Sequence, residues 1–410
     1  MPISRRRFVQ GMGFAAAALG SGFEVFADAG GAGPTPTPAG PIPPALVLIQ
    51  LAGGNDGLNT IVPANDGLYR QLRPTLGLNA EELRPLGTGD LSIHASLAKL
   101  LPRFASGEVA IVQGIGYPKS SRSHFESSAV WQTGRLDGEG DGWLGRAGPA
   151  RLTGNFARLG VGGGSLTPAL YGTIAPATAL ASLDAFAAQP DKRFPGDGPA
   201  LLRALSATYA ASPHAMHGFA APIRAVGESA LRSSEALKAA VNQYTSMVTY
   251  PRGGFGDQLK LTAQLLGARL GVRIAHLTLG GFDTHANQKR QQSALFTTLA
   301  EGITALLDDC QAHGLGDRVT VMTYSEFGRR VAENASSGTD HGAGSVLLLV
   351  GSRVKGGLHG NAPDLSKLDG GDVAATVDFR AVYAAALRDG LGVDPEPVLG
   401  KQKPLEVFKT

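Results

Sequence analysis

Five short apolar runs, each closed by glycine or a polar turn, constrain this chain more than any other feature of it. They occupy residues 45–51, 109–113, 272–279, 319–324 and 346–350. Apolar runs of this length without polar alternation predict strands buried on both faces, as in a parallel sheet. Between them the apolar spacing changes to three and four. Leu295, Leu299, Ile303, Leu306 and Cys310 form one stripe, which predicts a helix over 292–313 and makes Cys310 a small buried hydrophobe. Further helices are predicted over 199–211, 223–244, 259–270 and 379–390. Strands alternating with helices predict an α/β fold: a doubly wound, mostly parallel sheet with helices on both faces. The stretch 151–251 is rich in Ala and Ser and poor in strand signals, so it is expected to form a mostly helical insertion over the sheet.

The N-terminus carries a different signal. Ser4-Arg5-Arg6-Arg7-Phe8 precedes a weakly apolar, Gly/Ala-rich run over 11–23, followed by Ala27-Asp28-Ala29. A basic segment, a short apolar segment and an A-x-A site predict a cleaved export signal over 1–29, and the paired arginines assign it to the twin-arginine translocase. The apolar run falls short of the roughly 20 residues that span a bilayer. Residues 30–44 form a Pro/Gly-rich linker, and 45–410 is expected to be one large α/β domain. The expected location is therefore the periplasm. A single cysteine rules out an intramolecular disulfide, which suits a chain folded before export. Removing the signal lowers the formal net charge from +3 to about +2. No basic run interleaves with aromatics, so nucleic acid is not an expected partner. No later apolar stretch reaches membrane length, so the mature protein is not expected to span a membrane.

Chemistry is concentrated just after the predicted strands. Asp56 lies in Gly53-Gly54-Asn55-Asp56-Gly57, after the first. Ser121-Arg122-Ser123-His124 follows the second, Asp283-Thr284-His285 the third, and Ser325-Glu326-Phe327-Gly328-Arg329 the fourth, with Asp340-His341 a little later. In an open α/β sheet the carboxyl ends of the strands form the ligand crevice, so these groups are expected to converge. Carboxylate and imidazole ligands together suit zinc or manganese better than calcium. The candidate metal ligands are Asp56, Asp283, His285, Asp340 and His341; two ions would polarise an ester and stabilise the attacking oxygen. Each has a plainer reading: Asp56 as the acceptor of an Asx-type turn, Asp283 as a cap, a lone histidine as a satisfied polar group. Ser121 and Ser123, beside Arg122 and His124, are candidate catalytic residues at a helix start, where free N–H groups suit a phosphate or sulfate. Ser123 and Glu126 also match a capping box. Glu326 and Arg329 are candidates for supporting or substrate-binding groups, whereas His94 and His276 are expected to be structural. G-x-G-x-x-G and P-loop patterns are missing, and one cysteine cannot hold an iron–sulfur cluster, which disfavours nucleotide-dependent and redox chemistry.

The segments GGNDGLNTIVP (53–63), QGIGYPKSSRSHFESSAVWQTG (113–134), GWLGR (142–146), GGFDTHANQ (280–288), SEFGRR (325–330) and TDHGAGSVLLLVG (339–351) resemble the exported bacterial family called domain of unknown function 1501. The resemblance covers nearly the whole mature chain. It implies membership of the alkaline phosphatase and sulfatase superfamily, with a two-metal α/β sheet. By that resemblance Asp56 corresponds to the first metal aspartate, Asp283 and His285 to a second-metal pair, and Asp340-His341 to an adjacent Asp-His pair. Ser121 or Ser123 then occupies the nucleophile's region, and His359 is the late candidate for a third histidine. Two functions follow as expectations: a metal-dependent hydrolase acting on a small-molecule phosphate or sulfate ester, or a non-catalytic exported binding or assembly protein with the same fold.

Overall fold

A computed structural model describes residues 42–152, 156–163, 165–172, 177–182, 204, 237–239 and 241–409. The expected export signal, most of the linker, and nearly all of the helices predicted over 199–211 and 223–244 lie outside these residues. Among the described residues no helix is long and apolar enough to cross a membrane.

In chain order the strands are β1 (Ala45–Ala52), β2 (Ile61–Pro63), β3 (Leu83–Pro85), β4 (Leu91–His94), β5 (Val109–Gly116), β6 (Arg158–Val161), β7 (Thr178–Leu180), β8 (Ile274–Gly280), β9 (Val319–Tyr324), β10 (Ser345–Val350), β11 (Gly357–His359) and β12 (Val377–Asp378). The helices used below are α1 (His124–Thr133), α2 (Trp143–Arg151), α3 (Gly254–Gly267), α4 (Gln288–Ala312) and α5 (Phe379–Ala385). The main sheet runs β11-β5-β10-β9-β1-β8-β6-β7, with β12 also on β5; β2, β4 and β3 make a small separate sheet. The structure is α/β, as the alternation predicts.

Both faces of the central strands are buried. Val47, Ile49 and Leu51 of β1 pack with Val321, Leu348 and the apolar sides of α3 and α4, including Leu259, Ile303 and Leu306. The intervening Leu46 and Leu48 join Met322, Leu347 and Leu349 against Trp131 of α1, Trp143 of α2 and Val382 of α5. That burial is why these strands read as unbroken apolar runs. Cys310 is fully buried on the α4 stripe, where desolvation pushes its thiol up to about 12.

Two expectations need correction. The run 346–350 reads like another parallel strand, but β10 is antiparallel to both β5 and β9. A strand buried on both faces shows the same apolar pattern in either direction, so direction is not encoded there. The stretch 151–251, expected as a mostly helical insertion over the sheet, contributes β6 and β7 to the sheet itself, beyond β8. Their strands are short, and β6 begins with Arg158, whose buried guanidinium donates to the carbonyls of Leu144 and Gly145. No apolar run announces them.

Direction decides where chemistry gathers. β1, β5, β8 and β9 share one sense, so the segments after all four emerge at one edge of the sheet. Because β10 runs the other way, the segment before it, containing Asp340 and His341, reaches that same edge.

Candidate metal centre

The strand-end loops are held against each other at backbone distance. Gly53 has φ +122°, and a Cβ there would lie 2.2 Å from the Asp283 nitrogen. Gly54, at φ +87°, leaves no room beside the Phe327 ring, which a Cβ would meet at 2.4 Å. Only glycine fits that backbone and that contact. Buried Arg329 ties these loops together. Its guanidinium donates to the carbonyls of Gly54 (2.8 Å), Thr339 (2.8 Å), Phe282 (2.9 Å) and Gly53, and to Asp283 Oδ1 (2.7 Å). One planar donor fork thus fixes segments following β1 and β8 and preceding β10.

Three imidazoles surround the Asp283 carboxylate. His341 Nε2 lies 3.1 Å and His285 Nε2 3.0 Å from Asp283 Oδ1, and the two Nε2 atoms are 2.9 Å apart. His124 Nε2 is 3.5 Å from Asp283 Oδ2. In each ring the other nitrogen already has an acceptor. His341 Nδ1 donates to the Arg122 carbonyl (2.8 Å), His285 Nδ1 to Asp340 Oδ1 (3.2 Å), and His124 Nδ1 to Glu326 Oε1 (2.9 Å). A carbonyl or an ionised carboxylate cannot donate, so the hydrogen belongs on Nδ1, and neutral rings then present an Nε2 lone pair. Three such lone pairs aimed at a carboxylate repel one another unless a cation joins them. The donor set of three nitrogens and a carboxylate fits zinc or manganese, and a hydrogen-bonded Nδ1 is the usual support of a histidine ligand. The ligand atoms of His124, Asp283 and His341 all lie within 4.8 Å of one another.

Electrostatics and packing reinforce this arrangement. Burial alone would raise the Asp283 carboxyl, but the hydrogen bond and the positive charge of Arg329 act against it, and the carboxyl is held at about 2. Slight burial acts upward on Asp340 too, yet bonds from Asn334 and His285 keep it below its ordinary value. Phe327 forms an apolar floor, with ring centroids 4.5 Å from His341 and 4.9 Å from His124. The other side is open: the Asp283 and His285 side chains are 47% and 45% exposed, enough for a small ligand to reach them.

The structure divides the predicted site residues. Asp283, His285 and His341 come together as candidate ligands, and Asp340 supports His285 from the rim. His124 joins them through Nε2, so its expected catalytic role is corrected to that of a ligand candidate. Asp56 does not join. Arg73 binds its carboxylate through Nη1 (2.6 Å to Oδ2) and Nη2 (3.1 Å to Oδ1), Gln288 donates to it, and it caps the turn at Leu58 and Asn59. A guanidinium therefore stands where the metal expected at Asp56 would need to be, and the Asx-turn reading describes this residue. Arg122 is also reassigned: its guanidinium pairs with Asp372 at 2.6 Å, while its carbonyl orients His341.

The serines differ from one another. Ser121 donates to Glu126 (2.6 Å) and accepts from the Ser123 nitrogen (3.1 Å). The capping box is thus not formed, because Glu126 takes the Ser121 hydroxyl instead of reaching back to Ser123. Ser123 is the N-cap residue of α1 by position, and its hydroxyl caps nothing. His359 sits in β11 and bonds the Lys355 carbonyl, away from the cluster. His94 and His276 are buried; desolvation lowers both to about 4, and they bond the Ser96 nitrogen and the Tyr324 hydroxyl. Arg73 gave no sequence signal, since nothing in its neighbourhood marks a partner 17 residues away.

Comparisons with known proteins follow this geometry. A family described as "Protein of unknown function (DUF1501)" matches residues 201–406. No curated protein matches. Among solved structures, Ps i-CgsB in complex with k-i-k-neocarrahexaose is similar at 12% identity, covering 88% of this chain and 75% of that one, with a TM-score of 0.36. A phosphonate monoester hydrolase from Silicibacter pomeroyi is similar at 10% identity, covering 88% and 77%, with a TM-score of 0.31. A Bacteroides thetaiotaomicron structure described under metabolism of multiple glycosaminoglycans is similar at 8% identity, covering 88% and 74%, with a TM-score of 0.31.

Proposed function

The chain belongs to the DUF1501 family, whose function is unknown, and from that premise we propose that it is an exported hydrolase using one divalent ion, zinc or manganese, to cleave phosphate or sulfate esters. The observation that carries the reading is the convergence of three Nε2 atoms on Asp283, each ring held by an acceptor at Nδ1. Bound there, the ion would act as a Lewis acid on an ester oxygen. The chain's own groups do the rest. Arg329 balances Asp283 and fixes the loops; Glu326, Asp340 and the Arg122 carbonyl set the tautomers of His124, His285 and His341. Ser123 is the nucleophile of this reading, because it opens α1 beside the candidate ligand His124 with its hydroxyl in no hydrogen bond among the described residues; as it attacks, its proton would pass to solvent water and the alcohol would leave. The loss of Asp56 to Arg73 favours one ion over two. Export through the twin-arginine translocase to the periplasm, with a small-molecule ester as substrate, rests on the Arg5-Arg6 signal and the strand-end chemistry.

The deciding experiment is elemental analysis of the mature protein, purified without chelators, followed by turnover of an aryl phosphate and an aryl sulfate. One equivalent of zinc or manganese, lost in Asp283→Ala with His341→Ala, and turnover abolished in Ser123→Ala, are expected. Folded protein that takes up no metal from excess would overturn the reading in favour of a non-catalytic binding role.

A further inference from the structure

Next to the metal centre, two arginines share one carboxylate. Asp372 is buried, and its Oδ2 accepts from Arg122 Nε (3.1 Å) and Nη2 (2.6 Å). Arg330 Nε lies 3.5 Å from Asp372 Oδ1, and Arg330 Nη1 donates to the Gly370 carbonyl (2.6 Å). Two guanidinium groups against one carboxylate leave a surplus positive charge. Arg122 Nη1 and Arg330 Nη2 have no hydrogen-bond partner among the described residues, and the two side chains are 44% and 33% exposed.

Their backbones belong to the metal centre. Arg122 orients His341 through its carbonyl and is followed by Ser123 and His124. Arg330 follows Arg329, and its N–H donates to the Asp340 carbonyl at 2.9 Å. Asp283 and Asp340 lie at the same metal centre, but Arg329 pairs with Asp283 and a cation held there would offset the rest. A guanidinium pinned by a buried carboxylate is pre-organised, and its remaining N–H groups match the oxygens of an oxyanion.

We propose that Arg122 and Arg330, anchored on Asp372, form an anion-binding clamp that takes a second negatively charged group of the substrate. The substrate class is then an ester whose alcohol portion carries a further sulfate, phosphate or carboxylate, a refinement that rests on the metal-hydrolase reading above. Asp372 sets the spacing of the clamp, and the metal centre receives the ester group to be cleaved.

The test is calorimetric binding of benzenesulfonate and benzene-1,3-disulfonate to zinc-loaded mature protein, with zinc content measured on each sample. Wild type is expected to bind the disulfonate about tenfold more tightly than the monosulfonate, a difference of one rim contact. Arg330→Met should erase that preference at unchanged zinc content, and Arg330→Lys should restore part of it. If Arg330→Met fails to fold, Arg122→Met supplies the same comparison. Equal affinities in wild type, or a preference that survives the Met variants, would overturn the clamp. Failure of the metal reading is separately visible as protein without stoichiometric zinc.

Discussion

The candidate ligand histidines are defined by what holds their far nitrogens. His285 depends on Asp340 for its tautomer, so Asp340→Asn is expected to weaken zinc binding by about ten- to a hundredfold while keeping the stoichiometry. Asp283→Ala or His341→Ala should abolish stoichiometric binding; titration against a chromophoric chelator measures both. The buried histidines make a different prediction. His94 and His276 are lowered to about 4 by desolvation, whereas in the unfolded chain they titrate near 6.5. Above pH ~6.5 both states leave them neutral and their share of stability is intact. As pH falls from there towards 4, the unfolded chain takes up protons that the folded state refuses, and stability declines. Each contributes a slope of at most about 1.4 kcal/mol per pH unit. Urea unfolding at pH 7 and pH 5 should show His276→Gln with the shallower decline; an unchanged slope would refute that assignment.

At the scale of elements, the loop after β1 is held on several sides by its neighbours. Gly53 abuts the loop after β8 and Gly54 the Phe327 ring after β9, and the aspartate of this loop is enclosed by a buried polar network. Arg73 also donates to Asn59 Oδ1 (2.8 Å) and to the Val331 carbonyl (2.8 Å), so the network joins this loop to the segment after β9. Removing the guanidinium leaves the Asp56 carboxylate buried and unpaired, and Arg73→Met is expected to cost about 3–5 kcal/mol of stability. Because Asp56 stands outside the metal centre, zinc content of the folded fraction should stay at one equivalent. A variant that instead gains a second ion would restore the two-metal arrangement. Gly53→Ala tests the close approach itself: a methyl group 2.2 Å from the Asp283 nitrogen forces the loops apart, so metal affinity and stability should fall together.

For the whole molecule, the proposed metal would link binding to fold. An ion that binds only the native chain stabilises it by ~2.7 kcal/mol at a hundredfold excess over Kd, so chelator should lower the melting temperature and added zinc restore it. The linkage should vanish in His341→Ala. Export is tested on the same scale: Arg5→Lys with Arg6→Lys is expected to hold the full-length chain in the cytoplasmic fraction, and undiminished periplasmic delivery would remove the twin-arginine assignment.

The residues themselves settled much of this. Runs such as 45–51 and 319–324 are apolar without alternation because both faces of β1 and β9 are covered, so the α/β class was legible from hydrophobicity alone. The stripe from Leu295 to Cys310 was legible for the same reason: helical periodicity repeats whatever the helix packs against. Asp283 and His285 were legible as strand-end groups, since local backbone geometry places such residues at a sheet edge, and His341 was legible only as part of the Asp340-His341 pair. Tertiary structure decided the remainder. The sense of β10 depends on its neighbours, and it alone brings His341 to the edge shared with His124. Asp56 was lost to Arg73 because a buried charge takes the nearest partner in space, and spacing along the chain does not reveal that partner. His124 changed from catalytic candidate to ligand candidate for a related reason: its role depends on Glu326, which fixes the Nδ1 hydrogen from across the sheet edge.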